Sequence, residues 1–178
     1  MSLTTEQIIE QARTAYQDED YINAAELYKT AENEYSTAGD PLSAAEMANN
    51  RSVALLKAGD AKGALLAVEG TDAVFSGAND EKRQAMALAN QAAALESLKK
   101  FPEALEHYEQ SSEILKRIGE NDLRAYVLKS ISAVQLRQGK QLEAIASMSA
   151  SLDNKQNPGV KDRFMKRLIQ QVFKLLSR

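Results

Sequence analysis

The sequence of 178 residues has no cysteine, no tryptophan and a single histidine, and it has only three prolines and eight glycines. Without cysteine the chain forms no disulfide and offers no thiolate to a metal ion. The one histidine, His107, has no second histidine or cysteine with which to build a metal site. We therefore expect no metal site, and His107 is interpreted as an ordinary surface residue.

Long apolar runs and a strong charge of one sign are also missing. No stretch approaches the roughly 18 apolar residues of a membrane span. The first residues, MSLTTEQIIEQ, lack the basic and apolar regions of a signal peptide. The formal net charge of -3 supplies no positive field for nucleic acid or an anionic membrane, so neither is expected as a partner. A cytoplasmic protein is the expectation.

Recognisable catalytic motifs are absent as well. The one glycine-rich segment with a lysine, residues 59–63, lacks the spacing of a phosphate-binding loop. Carboxylates are numerous but are scattered along the sequence, so no acid–base pair is indicated. We therefore expect no enzyme activity and no cofactor.

An internal repeat is the main feature that is present. Four short segments, 21–24, 61–64, 101–104 and 141–144, each end in alanine, and the four alanines are spaced by 40 residues. Two further columns of this register hold core-forming and small residues: Tyr28, Val68, Tyr108 and Met148, and Ala12, Ser52, Ala92 and Ser132. The period is therefore a property of the fold and not a chance spacing of alanines.

Turn-forming residues divide each repeat into two helices. Turns are predicted within the repeats at Glu19, Gly59, Lys99 and Gly139, and between them at Gly39, Asn79, Gly119 and Gly159. Asp40 and Asp80 are suited to cap the following helices, and Pro41 suits a first helical position. The predicted helices are 5–17, 21–37, 41–58, 61–76, 81–99, 102–118, 121–138, 141–152 and 160–177.

The period predicts a single all-α domain over residues 1–178. Its repeats are 1–40, 41–80, 81–120 and 121–157, followed by a closing helix in 158–178. In that helix Met165, Leu168, Val172 and Leu175 continue the core columns of the preceding repeats, so we expect them to be buried.

The pattern resembles the tetratricopeptide repeat, whose signature places small and aromatic residues at fixed offsets. The two best copies are Ala12, Tyr21, Ala24, Tyr28, Ala31 and Ala92, Phe101, Ala104, Tyr108, Ser111. The family period is 34 residues, so this chain is similar to the longer repeats of kinesin light chain and of spindle-orientation adaptors. The family tryptophan and terminal proline are missing.

The resemblance implies a right-handed superhelix of antiparallel helix pairs, with a concave groove formed mainly by the first helix of each pair. It also implies an adaptor or scaffold that binds a protein or peptide in that groove. The groove candidates, carried over by position, are Arg13, Tyr16, Glu46, Asn49, Asn50, Val53, Leu56, Met86, Asn90, Ala93, Tyr126, Lys129, Ser130, Ala133 and Arg137.

Two interpretations of these residues stay open. Asn49, Asn50 and Asn90 resemble the asparagines of kinesin-light-chain repeats and could hold a peptide backbone, or they could bond between repeats. Tyr16, Met86 and Tyr126 could anchor a partner, or they could pack between repeats.

Charge and the closing helix suggest a second function, self-association. Residues 1–40 carry nine acidic and two basic side chains, whereas residues 154–178 carry one acidic and seven basic ones. Head-to-tail attraction between copies is one interpretation, and two solvated faces are the other. The closing helix also has apolar residues on its groove side that are candidates for self-association: Phe164, Ile169, Phe173 and Leu176. We expect Ile169 and Phe173 to join a second copy or a partner segment, and the competing interpretation is that they pack beneath the preceding repeat.

Overall fold

The structure is a computed structural model that describes residues 3–176, and these residues form ten α-helices and no strand. The predicted all-α fold is confirmed, and eight of the nine predicted helices end within two residues of the observed ends. The observed helices are α1 (Thr5–Gln17), α2 (Tyr21–Ala38), α3 (Pro41–Lys57), α4 (Ala61–Val68), α5 (Thr71–Gly77), α6 (Glu81–Ser97), α7 (Phe101–Arg117), α8 (Asn121–Arg137), α9 (Gln141–Asn154) and α10 (Val160–Leu176).

Burial confirms the 40-residue register. The alanine column is buried throughout, because Ala24, Ala64 and Ala104 are fully inaccessible and Ala144 is 1% exposed. A side chain as small as a methyl group lets two helix backbones approach closely. The column of small residues is buried in the same way: Ala12, Ser52, Ala92 and Ser132.

The turns follow the register with one exception. A left-handed backbone with positive φ occurs at Glu19, Asn79 and Lys99, and at the predicted glycines Gly39, Gly59, Gly119 and Gly139. Only glycine adopts this conformation without strain, so the three other residues are held there by the helices on either side. Gly159 lies between α9 and α10, as predicted, but its φ is not positive.

Both predicted caps are observed. Asp40 Oδ1 accepts a hydrogen bond from Ser43 N at 3.0 Å, and Asp80 Oδ1 accepts one from Arg83 N at 3.0 Å. Pro41 occupies the first turn of α3, where its missing N–H costs nothing. These contacts explain why α3 and α6 begin where the sequence predicts.

The helix predicted over residues 61–76 is broken in two. It ends at Val68 and restarts at Thr71, with Gly70 between them at φ +76°. The break turns α5 so that Phe75 enters the core, where it is 1% exposed and packs with Ala45 and Ala87. The prediction of one helix was therefore wrong at this point.

The chain forms two compact units, Met1–His107 and Tyr108–Arg178. In the first unit α2 packs on α1 and α3, α3 packs on α4, and α6 packs on α4 and α5. In the second unit α8 packs on α9, and α9 also contacts α10. The assignment of residues 1–178 to a single domain stays a prediction.

The closing helix α10 departs from the register. The predicted core residues Met165, Leu168, Val172 and Leu175 are 37–69% exposed, whereas Ile169, predicted on the open side, is 7% exposed. The assignment of the four residues to the core was wrong, and the burial of Ile169 fits the competing interpretation that it packs beneath the preceding repeat.

Charge at two register positions explains the departure. In the second repeat Met47 and Ala54 are buried in a core cluster with residues of α1 and α2. The equivalent residues of α10 are Arg167 and Lys174. Because charged side chains cannot fill an apolar contact, α10 turns another side inward and buries Ile169.

Candidate protein-binding surface

The groove candidates all lie on the first helices of the pairs, which are α1, α3 and α6 in the first unit and α8 in the second. On each helix they form one strip. At about 100° per residue, the five α8 candidates fall within an arc of roughly 100°, and the buried residues of α8 lie outside it. We call these strips the first-helix surface of each unit.

Asparagines on α3 and α6 are joined by a hydrogen bond. Asn90 Nδ2 donates to Asn49 Oδ1 at 3.0 Å, and Asn49 Nδ2 donates to the Ala45 carbonyl at 2.9 Å. Asn49 is 8% exposed, so its amide is used inside the protein. Of the two interpretations, bonding between repeats describes Asn49, and Asn50 and Asn90 are the two asparagines that reach the surface.

A charged network borders these asparagines. Arg83 Nη1 lies 3.2 Å from Glu46 Oε2, and Arg83 Nε donates to Asp80 Oδ2 at 2.6 Å. The guanidinium carbon also lies 5.3 Å from the centre of the Phe75 ring. The bond from the Arg83 backbone N–H, together with the adjacent guanidinium, lowers the pKa of Asp80. Glu46 is thus held by a partner within the fold.

Apolar side chains complete the first-helix surface of the first unit. Met86 on α6 is 45% exposed, and Val53 and Leu56 on α3 are half-buried. A methionine that is this exposed contributes little to the stability of the fold, because other residues of the helix form its contact with the core. Met86 is therefore the most accessible apolar candidate of this unit.

The two candidates on α1, Tyr16 and Arg13, have different surroundings. Tyr16 is half-buried against the core cluster and meets Tyr21 edge to face at 5.3 Å between ring centres. Packing is therefore the interpretation that fits Tyr16. Arg13 is exposed, with its guanidinium 3.6 Å from the Glu10 carboxylate.

The second unit presents a more open strip. Tyr126 is 69% exposed, Lys129 is exposed and Ser130 is half-buried. The opposite side of α8 is held to α9 by buried hydroxyl groups, since Ser132 Oγ donates to the Ala144 carbonyl and Ser151 Oγ to the Ala125 carbonyl. Tyr126 is thus presented by a rigid helix pair.

Comparison with known proteins agrees with this architecture. Residues 83–157 match the model of the tetratricopeptide repeat. This segment of the chain is therefore similar to tetratricopeptide repeats.

Solved structures extend this likeness over nearly the whole length of the chain. A Podosopora anserina protein described as a kinesin light chain with nearly identical TPR-like repeats is 16% identical. The match covers 99% of this chain and 94% of that one, with a TM-score of 0.71. Its Q17M variant is 15% identical, with coverages of 97% and 92% and a TM-score of 0.71. At this identity the likeness concerns the fold. No curated protein matches the chain.

One exposed residue of the repeats was missed from the sequence. Leu136 on α8 is 54% exposed and shares its register position with the candidates Tyr16 and Leu56. That shared position was the signal that could have identified it. Among residues 3–176 no cluster of acidic or histidine side chains could hold a metal ion, and no helix could cross a membrane.

Proposed function

We propose that this chain is an adaptor that binds a protein or peptide segment along its first helices. Tetratricopeptide pairs expose one row of helices to solvent, because the second helices cover the core from the other side. A row of rigid helices with open side chains offers a partner a preformed surface, which lowers the entropy lost on binding.

The main support for the proposal is that large apolar side chains are exposed to solvent at the same register position of two repeats. Met86 is 45% exposed and Tyr126 is 69% exposed, and neither is needed to fill the core. Tyrosine and methionine are typical interface residues. Tyrosine buries a large area and has few rotatable bonds, and methionine adapts its shape to the partner. We assign these two residues as apolar anchors for the partner.

Polar groups beside the anchors supply hydrogen bonds in this proposal. Asn50 is half-buried on α3, and Asn90 lies on α6 with its amide nitrogen bonded to Asn49. An asparagine amide forms hydrogen bonds with peptide N–H and C=O groups, and these bonds do not depend on the side chains of the bound segment. In the second unit Lys129 and Ser130 offer a cation and a hydroxyl group. The expected partner is therefore an extended segment with apolar side chains and free backbone N–H and C=O groups.

The test uses a variant in which both anchors are removed. The wild-type chain serves as bait, captured proteins are identified by mass spectrometry, and the affinity of the main partner is then measured by calorimetry. Met86→Ser combined with Tyr126→Ser should raise the dissociation constant at least about tenfold, the effect of losing about 1.4 kcal/mol. The circular dichroism spectrum should stay that of the wild type.

A matched control uses equally open apolar residues on second helices. Leu66 is 71% exposed and Leu142 is 59% exposed. Leu66→Ser combined with Leu142→Ser removes the same number of open apolar side chains, and the affinity should change less than about twofold. Equal losses in the two double variants would show that binding does not use the first helices.

A further inference from the structure

The closing helix α10 carries a wide apolar face that no described element covers. At about 100° per residue, Phe164, Met165, Leu168, Val172 and Leu175 fall within an arc of roughly 100°. They are 37–69% exposed. The side chain of Leu176, which was predicted to extend the open face, lies outside the described residues. An open apolar face of this width is typical of an interface.

Contacts within the second unit hold α10 by its other side. Ile169 is buried, and two ion pairs flank it, from Lys166 to Asp153 and from Lys155 to Asp162. The helix is thereby positioned with its apolar face outward.

Basic residues line one edge of that face. By the same helical geometry, Arg163 and Arg167 lie within about 40° of each other, beside the end of the apolar arc. Both are exposed. In an antiparallel pair of two α10 helices this edge would face its own copy, and like charges would repel. An acidic occupant is therefore favoured over a second α10.

An acidic groove of suitable size lies between α1 and α2. It has a volume of about 620 Å³, runs along the whole of α1 and has no basic residue in its lining. Its three charged residues are Glu10, Asp18 and Asp20, and its apolar ones are Leu3, Ala15 and Leu27. Helix α1 is about 20 Å long and α10 about 25 Å, so the apolar face of α10 can lie along most of the groove.

The repeat register shows that this groove is a helix-binding position. Its lining residues Gln7, Gln11 and Thr14 are equivalent to Met47, Arg51 and Ala54 of the next repeat. There, Met47 and Ala54 are buried in the cluster that α2 shares, and Arg51 pairs with Glu32 of α2 at 2.8 Å. The equivalent position of the first repeat has no such helix among the described residues.

We propose that α10 of one copy docks in the groove between α1 and α2 of a second copy. Phe164 and Leu168 then cover Leu3 and Leu27, while Arg163 and Arg167 face the acidic residues of the groove. The groove and the apolar face of α10 are both separate from the first-helix surface. Because the two contact sites are different, each copy can bind one neighbour through each site, and copies associate head to tail.

The experiment uses one charge-reversed variant for each site. Gln11→Lys with Asp18→Lys alters the groove, and Arg163→Glu with Arg167→Glu alters α10. All four positions are exposed, so both variants should keep the wild-type circular dichroism spectrum. Sedimentation equilibrium of the purified chain is measured from about 10 µM to about 1 mM, the range of transient interfaces.

The wild-type mass should rise with concentration beyond that of two 19.5 kDa copies. Each variant alone should associate at least tenfold more weakly. A mixture of the two should associate again, because the lysines of one variant then meet the glutamates of the other. Raising the salt from about 0.1 M to about 1 M shortens the screening length from about 10 Å to about 3 Å, so wild-type association should weaken.

Three results would overturn the proposal. A wild-type chain that stays at 19.5 kDa over the whole range would show that copies do not bind. Association unaffected by the groove variant would indicate pairing of two α10 helices or another surface. Two folded variants that do not associate when mixed would show that the sites do not contact each other.

Discussion

Small side chains set the distance between helices in this protein. Ala24, Ala64 and Ala104 are fully buried at equivalent positions of successive repeats. Serine can be buried equally deeply where its hydroxyl group donates a hydrogen bond to a backbone carbonyl. Ser132 Oγ donates to the Ala144 carbonyl at 2.7 Å. A larger residue at such a site must displace a helix.

Ala104→Leu should therefore destabilise the chain. Overpacking a well-filled core costs about 1–3 kcal/mol of unfolding free energy, as urea denaturation followed by circular dichroism would measure. The control is Ala146→Leu, at an exposed position of α9, which should change stability by less than about 0.5 kcal/mol. Equal effects would mean that Ala104 is not at a close helix contact.

Asp80 combines a cap and an ion pair, and its contribution to stability should depend on pH. Its pKa is lowered by the backbone N–H of Arg83 and by the guanidinium. The folded state thus favours the ionised form. The stabilisation is present above the usual aspartate pKa of about 4 and is lost as the pH falls further through the lowered value.

Asp80→Asn isolates this effect because asparagine is also a good cap. The wild type should be more stable than the variant near pH 6, and the difference should disappear as the pH falls through the lowered pKa of Asp80. Urea midpoints at several pH values measure it. A difference that persists at low pH would assign it to packing and not to charge.

At the scale of elements, the break between α4 and α5 is the main irregularity of the repeat. The carbonyl of Val68, freed from helical bonding, accepts from Thr71 Oγ1 at 2.9 Å and from Gln91 Nε2 at 3.3 Å. Gln91 also donates to Asp72 Oδ1 at 2.7 Å. Each contact satisfies a buried polar group, so the break is a stable feature of the fold.

Two glycines of this segment should respond to alanine in opposite ways. Gly70 has φ +76°, a conformation that costs an L-residue about 1–2 kcal/mol, so Gly70→Ala should lower stability by that amount. Gly77 has no such φ and no atom within 4 Å of an added Cβ. Gly77→Ala should therefore stabilise by about 0.4–1 kcal/mol. Thermal and urea unfolding of the two variants would reveal the signs, and two shifts of the same sign would contradict the structure.

At the scale of the whole molecule, each helix depends chiefly on its neighbours in the chain, as in other repeat proteins. Helix α10 packs on α9 with Ile169 as its one buried apolar residue among those described. Its removal should cost the chain little more than the burial of that side chain.

A chain ending at residue 157 should therefore still fold. We expect the unfolding free energy to fall by about 1.5–3 kcal/mol, the value of burying one isoleucine. Circular dichroism during urea unfolding measures it, and the signal of the remaining helices should persist. An unfolded or aggregated chain would show instead that α10 is a required cap.

The all-α fold, the 40-residue period, most helix ends and the buried alanine column could be predicted from the sequence alone. These features are local: turn residues such as Gly39 and caps such as Asp40 act on the few residues beside them, and the helical period decides which face is apolar. The repeats also strengthen each prediction, because every column of the register has a member in each of the four repeats. The placement of the binding candidates on first helices follows from the same register.

Only the tertiary structure decided which candidates are open. Asn49 is used by Asn90 of the next pair, Tyr16 packs on the core cluster, and Ile169 is buried because Arg167 and Lys174 cannot face the preceding repeat. The break at Gly70 likewise depends on Gln91, which lies on another helix. The outcomes at Tyr16 and Ile169 depend on which side of their helix the rest of the fold covers. Those at Asn49 and Gly70 are set by residues distant in sequence, whose positions exist only once the helices have packed.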